Sequence, residues 1–187
     1  MENRLTGHAS FADVLSAAQA NAGWAVRRLF DELARPVVGY LRVQGAREPD
    51  DMANEVFLGV FSGIAGFDGG EEQFRSWVFT IAHHRLVDER RRVGRRPVLA
   101  DDEPDTNVRG GDTEDDALRS AGNERVRELL GRLAPDQRDV LLLRILADLS
   151  VEQVAQALTK TPGAVKALQR RGLAALRREI SKEGVSL

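Results

Sequence analysis

The stretch Ser150 to Arg178, SVEQVAQALTKTPGAVKALQRRGLAALRR, constrains this chain most, because it holds two helix starts close together. Ser150 is a good N-cap, and Gln153 stands at the third helical position, as a capping box requires. Val151, Val154, Ala155 and Leu158 follow at helical spacing. Thr161 can cap a second helix, and Pro162 suits its first position, where a missing N–H costs nothing. On a wheel, Val165, Leu168, Gly172, Ala175 and Leu176 share one side of that second helix. Lys166, Arg170, Arg171, Arg177 and Arg178 share the other, with Ala167 and Ala174 between them. A core-facing stripe opposite a basic face with small gaps suits a helix in the DNA major groove: arginines reach phosphates and base edges, and alanines permit close approach. A solvated face on an ordinary core helix would also be charged. The short turn, the caps and the preceding helix favour helix-turn-helix.

Charge supports this once its distribution is considered. The net charge of −2 argues weakly against nucleic acid, but the charges are segregated. Six arginines face two acids from Arg85 to Arg96, and seven basic residues face only Glu179 from Lys160 to Lys182. Between them, Asp101 to Asp116 holds eight acids and one arginine. With no cysteine and only three histidines (His8, His83, His84), neither a disulfide framework nor a metal site is expected, and no cofactor is implied. No apolar run approaches the ~18 residues of a membrane span. MENRLTGHAS lacks an apolar signal core, so the expected location is the cytoplasm.

Taken in order, the chain reads as helices throughout, with no strand pattern and no internal repeat. Ser10 caps a first helix. A second runs from about Ala22 to Val43, and Pro36 should kink or break it. A third, about Asp50 to Ala65, buries Ala53, Val56, Phe57, Val60, Phe61 and Ile64; Asp51, Glu55, Leu58 and Ser62 lie opposite. A leucine between two acids on that face suits a docking surface and a solvated face about equally. Phe67 to Gln73 reads as a polar loop, and Phe74 to Arg92 as one long helix whose aromatics precede a run of arginines. Aromatics beside a basic track are what single-stranded DNA binding uses, although Phe74 and Trp77 suit a core better. Val93 to Ser120 lacks periodicity and reads as a flexible acidic linker, spanning on the order of 25–30 Å as a coil. Asn123 to Leu133, with Val126, Leu129, Leu130 and Leu133 inward, and Asp136 to Leu146 complete a second helical group. The expected fold is all-α: two small helical domains at 8–97 and 122–183, joined by a linker at 98–121.

These motifs together resemble the bacterial sigma-70 family, in its small extracytoplasmic-function group. DDMANEVFLGVF (Asp50 to Phe61) is similar to the core-polymerase-binding motif, and FDGGEEQFRSWVFTIAHHRLVDERRR (Phe67 to Arg92) to the promoter-melting and −10 motif. LAPDQRDVLLLRILADLSVEQVAQALTKTPGAVKALQRRGLAALRR (Leu133 to Arg178) is similar to the −35-binding domain. The resemblance implies a non-enzymatic subunit that docks on core RNA polymerase, at the β′ clamp and β flap, and reads promoter DNA. Asp51, Glu55 and Leu58 match the clamp-docking positions. Asp68 to Gln73 matches the segment that captures a flipped −10 base, which costs a few kcal/mol to extract. Arg75, His83, Arg85, Arg90 and Arg91 follow along the −10 helix. Thr161, Lys166, Ala167, Arg170 and Arg171 match the −35 reader. Members are usually held inactive by an anti-sigma factor, and the acidic linker is expected to thread the polymerase's RNA path. Three positions depart from the pattern: Ala134 replaces a common proline, Gly172 replaces the usual alanine, and the −10 loop is acidic. Gly172 falls on the buried side, where packing against the 150–159 helix is one reason for it. A free-standing helix-turn-helix regulator is the alternative, but the aromatic-and-arginine helix has no job in a duplex-only reader. A nuclease-like enzyme is a distant third.

Overall fold

The computed structural model describes residues 9–95 and 125–182. The expected linker, 98–121, lies outside them.

Ser10 starts the first helix, α1 (Phe11–Gln19), through a reciprocal capping box. Its hydroxyl accepts the Asp13 N–H at 3.2 Å, and the Asp13 carboxylate accepts the Ser10 N–H at 3.1 Å. Gln19 then ties the end of α1 to the chain that precedes the glycine-rich loop. Its amide donates to the carbonyls of Ile64, at 3.1 Å, and Phe67, at 2.8 Å.

The helix α2 (Gly23–Val43) runs through Pro36 without a break, contrary to the possibility that Pro36 ends it. Proline deletes one backbone hydrogen bond, but the stripe Leu29, Leu33, Val37, Tyr40 and Leu41 is buried on both sides of it. Burial of a continuous stripe outweighs a single lost bond.

Pro49 occupies the first turn of α3 (Pro49–Gly63), and Asp50 and Asp51 place acids at its positive end. A 3-10 turn, Ile64–Gly66, follows. Ala53, Val56, Phe57, Val60 and Ile64 are buried as the periodicity predicts, Met52 joins them, and Phe61 is only half-buried.

The fourth helix, α4 (Glu71–Arg95), starts three residues earlier than the sequence suggests and passes the expected end. The reason is local. Gln73 reaches back so that its side-chain oxygen accepts the Gly70 N–H at 3.1 Å, which makes Gly70 the effective cap. Glu71 and Glu72 thereby fall in a first turn, where the helix dipole favours acids. The loop shrinks to 67–70.

In the second group, residues 125–131 are helical (α5). They are followed by α6 (Pro135–Ile145), α7 (Val151–Ala157) and α8 (Pro162–Lys182). Leu130 and Leu133 are buried as expected, whereas Val126 is 50% exposed rather than inward. Ser150 and Gln153 form the capping box foreseen for α7, with Ser150 Oγ accepting the Gln153 N–H at 3.1 Å. Thr161 Oγ1 accepts the Ala164 N–H at 3.2 Å and caps α8. Positive φ at Asp148 and Thr159, both 53°, makes the two tight reversals that flank α7. Gly172 is buried, but against α6 rather than the 150–159 helix. A Cβ there would stand 3.0 Å from Leu141 Cδ1 and 3.3 Å from Gln137 Cβ.

Candidate nucleic-acid and polymerase interface

The basic face of α8 is open. Lys166, Arg170, Arg171, Arg177 and Arg178 are exposed, Ala167 is half-buried, and Val165, Leu168 and Gly172 hold the opposite side in the core. Among the described residues, no ion pair engages Lys166, Arg170 or Arg171. The helix's acid, Glu179, is occupied elsewhere: it accepts Lys182 at 2.7 Å and Arg132 at 3.3 Å. The hydrogen bond from Lys182 holds its carboxyl below the ordinary range. The cations that face solvent therefore keep their charge available for phosphates. Thr161 is exposed but already serves as the cap.

On α3, Asp51 and Glu55 are exposed, and Leu58, one turn further along the same face, is 69% exposed. Its opposite side is core. A large apolar side chain left in the open beside two acids suits a docking helix. Arg85 lies beside this face, with its guanidinium 3.9 Å from Glu55, so α3 and α4 share a mixed-charge cleft with Arg47, Asp51 and Arg92.

The glycine-rich loop is held by aromatics. Phe67 stacks on Trp77 with centroids 5.1 Å apart and meets the Phe74 edge at 5.3 Å. Phe74 is 1% exposed, so it is core, and Trp77 is half-buried. Trp77 also crowds Gly63, where a Cβ would lie 3.2 Å from its ring. Gly69 is required by space and backbone alike: φ is 159°, and a Cβ would fall 3.0 Å from Gln73 and 3.1 Å from the Phe67 ring. The loop thus presents backbone and Asp68 to solvent above an aromatic floor.

Sequence reasoning placed seven −10 residues on this loop and helix. The structure leaves Asp68, Gln73, Arg85 and Arg91 exposed, with Arg91 3.8 Å from Asp88. Arg75 is partly buried in a cleft between Glu71, Glu72 and Gln73 on one side and Arg144, Asp148, Ser150 and Gln153 on the other. His83 and Arg90 are engaged within the protein, His83 buried and Arg90 half-buried. His83 is buried, and its Nδ1 is hydrogen-bonded to the Tyr40 hydroxyl at 3.0 Å. Burial pushes the imidazole pKa down, with Asp139 acting in the opposite direction. Burial likewise pushes the Tyr40 phenol well up. Arg90 donates to the Gln44 backbone carbonyl at 2.7 Å and to its side-chain oxygen at 3.0 Å. The Gln44 amide in turn donates to the Asp139 carboxylate at 2.5 Å.

Gln44, Tyr40 and Asp139 were not singled out from sequence. Tyr40 read as one more apolar anchor of α2. The usable signal was Asp139, an acid directly before VLLL on a helix with a wide buried face.

A helix-turn-helix with a free basic face, preceded by a helical domain with an exposed leucine-and-acid face, defines a protein class. The family model for Sigma-70 region 2 matches residues 29–96, and that for Sigma-70, region 4 matches 123–176. The chain is 31% identical over 173 residues to the ECF RNA polymerase sigma factor BldN of Streptomyces coelicolor, covering 91% of this chain and 66% of BldN. It is 30% identical over 178 residues to the ECF RNA polymerase sigma factor SigD of Mycobacterium tuberculosis, covering 91% of this chain and 84% of SigD. The solved structure of CnrH in complex with the cytosolic domain of CnrY shares the fold, with a TM-score of 0.67 at 21% identity, over 90% of this chain and 96% of that one. The chain belongs to the extracytoplasmic-function (ECF) RNA polymerase sigma factors of the sigma-70 family. It is a DNA-binding transcription initiation factor. Among the described residues, no helix is long and apolar enough to cross a membrane.

Proposed function

We propose that α3 docks on core polymerase while the loop at 67–70 and α4 hold the opened −10 strand and α8 reads the −35 duplex. Asp51, Glu55 and Leu58 make the clamp contact. Asp68 and Gln73 flank the captured base, and Arg75, Arg85 and Arg91 supply phosphate contacts along α4, with His83 and Arg90 on the same helix. Lys166, Ala167, Arg170 and Arg171 enter the major groove, with Thr161 at the helix start. The two units, near 8–97 and 122–183, act on two promoter elements at once, so each need bind only weakly by itself. The factor works in the cytoplasm without catalytic chemistry of its own, and an anti-sigma factor controlling it follows from family membership.

The observation that carries this reading is the 69% exposure of Leu58 on the α3 face that also exposes Asp51 and Glu55. A free-standing operator-binding protein has no use for that face. The test is in vitro transcription with purified chain and core polymerase on a library of genomic promoters. Discrete starts with shared upstream elements are expected. Operator binding that is indifferent to core polymerase, with no specific transcript, would overturn the reading.

A further inference from the structure

The loop at 67–70 is pinned at both ends, and one pin comes from outside the loop and its helix. Gln19, half-buried at the last position of α1, carries two N–H donors on its amide. Its nitrogen donates to the Ile64 carbonyl at 3.1 Å and to the Phe67 carbonyl at 2.8 Å. The Phe67 carbonyl belongs to the peptide bond that joins Phe67 to Asp68, and a peptide bond is planar. Fixing that oxygen fixes the direction in which the Asp68 N–H and the chain beyond it leave. The far end is held by Gln73, whose side-chain oxygen accepts the Gly70 N–H. Asp68 and Gly69 stand between the two pins. The same helix braces the aromatic floor beneath them: Phe11 meets Phe74 with ring centroids 5.7 Å apart. Gln19 is itself set in place by the turn that ends α1. Asn21, with φ of 59°, reverses the chain, and the Ala22 N–H bonds back to the Ala17 carbonyl at 2.9 Å. All of α1 lies ahead of residues 29–96, the stretch that the Sigma-70 region 2 model matches.

We propose that Gln19 is a positioning residue for −10 base capture: from α1, without touching DNA, it sets the backbone of the loop that receives the base. A loop already held in its working shape spends no binding energy on ordering itself when the base arrives. It also discriminates better. Preference for one base is a difference of affinities, and a fixed outline penalises the wrong base where a yielding one adapts to it. Without the Gln19 amide, the Ile64 and Phe67 carbonyls each lose a partner and the Phe67–Asp68 peptide is free to turn. Asp68 and Gly69 then sample several arrangements above the same aromatic floor. Affinity for the captured base falls, and its preference over the other bases falls with it. The basic face of α8 and the α3 face that carries Leu58 share no bond with Gln19, so −35 recognition and polymerase binding are untouched. The inference rests on the sigma reading for what the loop captures.

The test is transcription by the full chain with core polymerase on a promoter library randomised at the −10 and −35 elements. Gln19→Met keeps the length and helix propensity of the side chain but has no N–H to donate. In this variant the preference for one base at the captured −10 position is expected to fall about tenfold, the size of one lost buried hydrogen bond. The −35 preference and the affinity for core polymerase should match the unchanged chain. Ser10→Ala is the control for general loosening of α1, because it weakens the helix at its other end and touches neither bond. It should keep the full −10 preference even where its melting temperature falls as far. Gln19→Asn, one carbon–carbon bond shorter, keeps a polar amide that cannot span both carbonyls. It should lower the preference several-fold, and it decides the matter if Gln19→Met does not fold. An unchanged −10 preference in these variants overturns the proposal. So does a loss shared equally with −35, or one that Ser10→Ala reproduces, since either marks Gln19 as a plain fastening of α1. Absence of any specific transcript from the unchanged chain overturns the sigma reading itself, and that failure is seen before a variant is compared.

Discussion

At Gly172 two residue-scale effects oppose each other, and their magnitudes decide the outcome. Glycine inside a helix costs about 0.5–1 kcal/mol relative to alanine. Replacing it would recover that, but the new methyl would meet Leu141 Cδ1 at 3.0 Å, Leu141 Cγ at 3.2 Å and Gln137 Cβ at 3.3 Å. Leu141 is itself 1% exposed, packed inside the core. Overpacking of this kind costs about 1–3 kcal/mol. Gly172→Ala is therefore expected to destabilise the second domain by about 1 kcal/mol, read as a lower melting temperature; a gain in stability would show that Leu141 yields. The sequence placed Gly172 on the buried side because periodicity reports which face is inward. It could not say that α6 rather than α7 lies there, because the helix crossing is tertiary. Across the same helix, the exposure of Arg170 and Arg171 is legible from the periodicity. Changing either to Ala should weaken binding to a −35 duplex by about 1–3 kcal/mol if the contact is bidentate to a base. Affinity for core polymerase should stay unchanged. Fluorescence anisotropy on duplex and polymerase separates the two, and a parallel loss of core binding would mean the domain roles are reversed.

Elements were legible where a local rule closes on itself. The cap at Ser10 and the capping box at Ser150 need only residues three apart, and both formed, the first completed by Asp13. Ser150→Ala should cost about 1 kcal/mol, lowering the melting temperature of the second domain by several degrees, with circular dichroism as the measure. Two elements escaped local reading. The helix α2 survives Pro36 because of a stripe buried against other helices, and α4 begins early because Gln73 caps Gly70 from inside what looked like loop. The face of α3 that carries Asp51, Glu55 and Leu58 could be drawn from periodicity, but how far Leu58 stands out of the packing could not. Because Leu58 is 69% exposed, Leu58→Arg should leave the melting temperature within error. It should weaken core polymerase binding at least tenfold, in line with loss of one interface anchor. A thermal shift as large as a core mutation would place Leu58 in packing instead.

At the scale of the whole molecule, the arrangement of the two domains was not legible at all. Gln44, Arg90 and Asp139 are far apart in sequence, and no periodicity links a glutamine at the end of α2 to an acid on α6. Their meeting has a pH signature through His83. From α2 the imidazole faces Tyr40, from α6 Asp139, from the turn before α8 Lys160, and from its own helix His84 and Arg90. Burial lowers its pKa in the folded chain, and Asp139 only partly offsets this. On unfolding, the ring returns towards the ordinary value of about 6.5. The unfolded state then binds more protons than the folded one below that value, so the fold keeps this contribution in full above pH ~7 and loses it as the pH falls through the range below ~6.5. Tyr40 works at the other end. Its phenol is raised by burial, so ionisation in the unfolded chain begins to favour unfolding only above about pH 10. Asp13 and Glu179, both held low by hydrogen bonds, act only in the carboxylate range and do not mask the histidine step. The melting temperature should therefore decline from about pH 7 to pH 5.5. His83→Gln, which keeps a partner for the Tyr40 hydroxyl but cannot titrate, should flatten that curve. A slope that persists in that variant would assign the pH response to other groups.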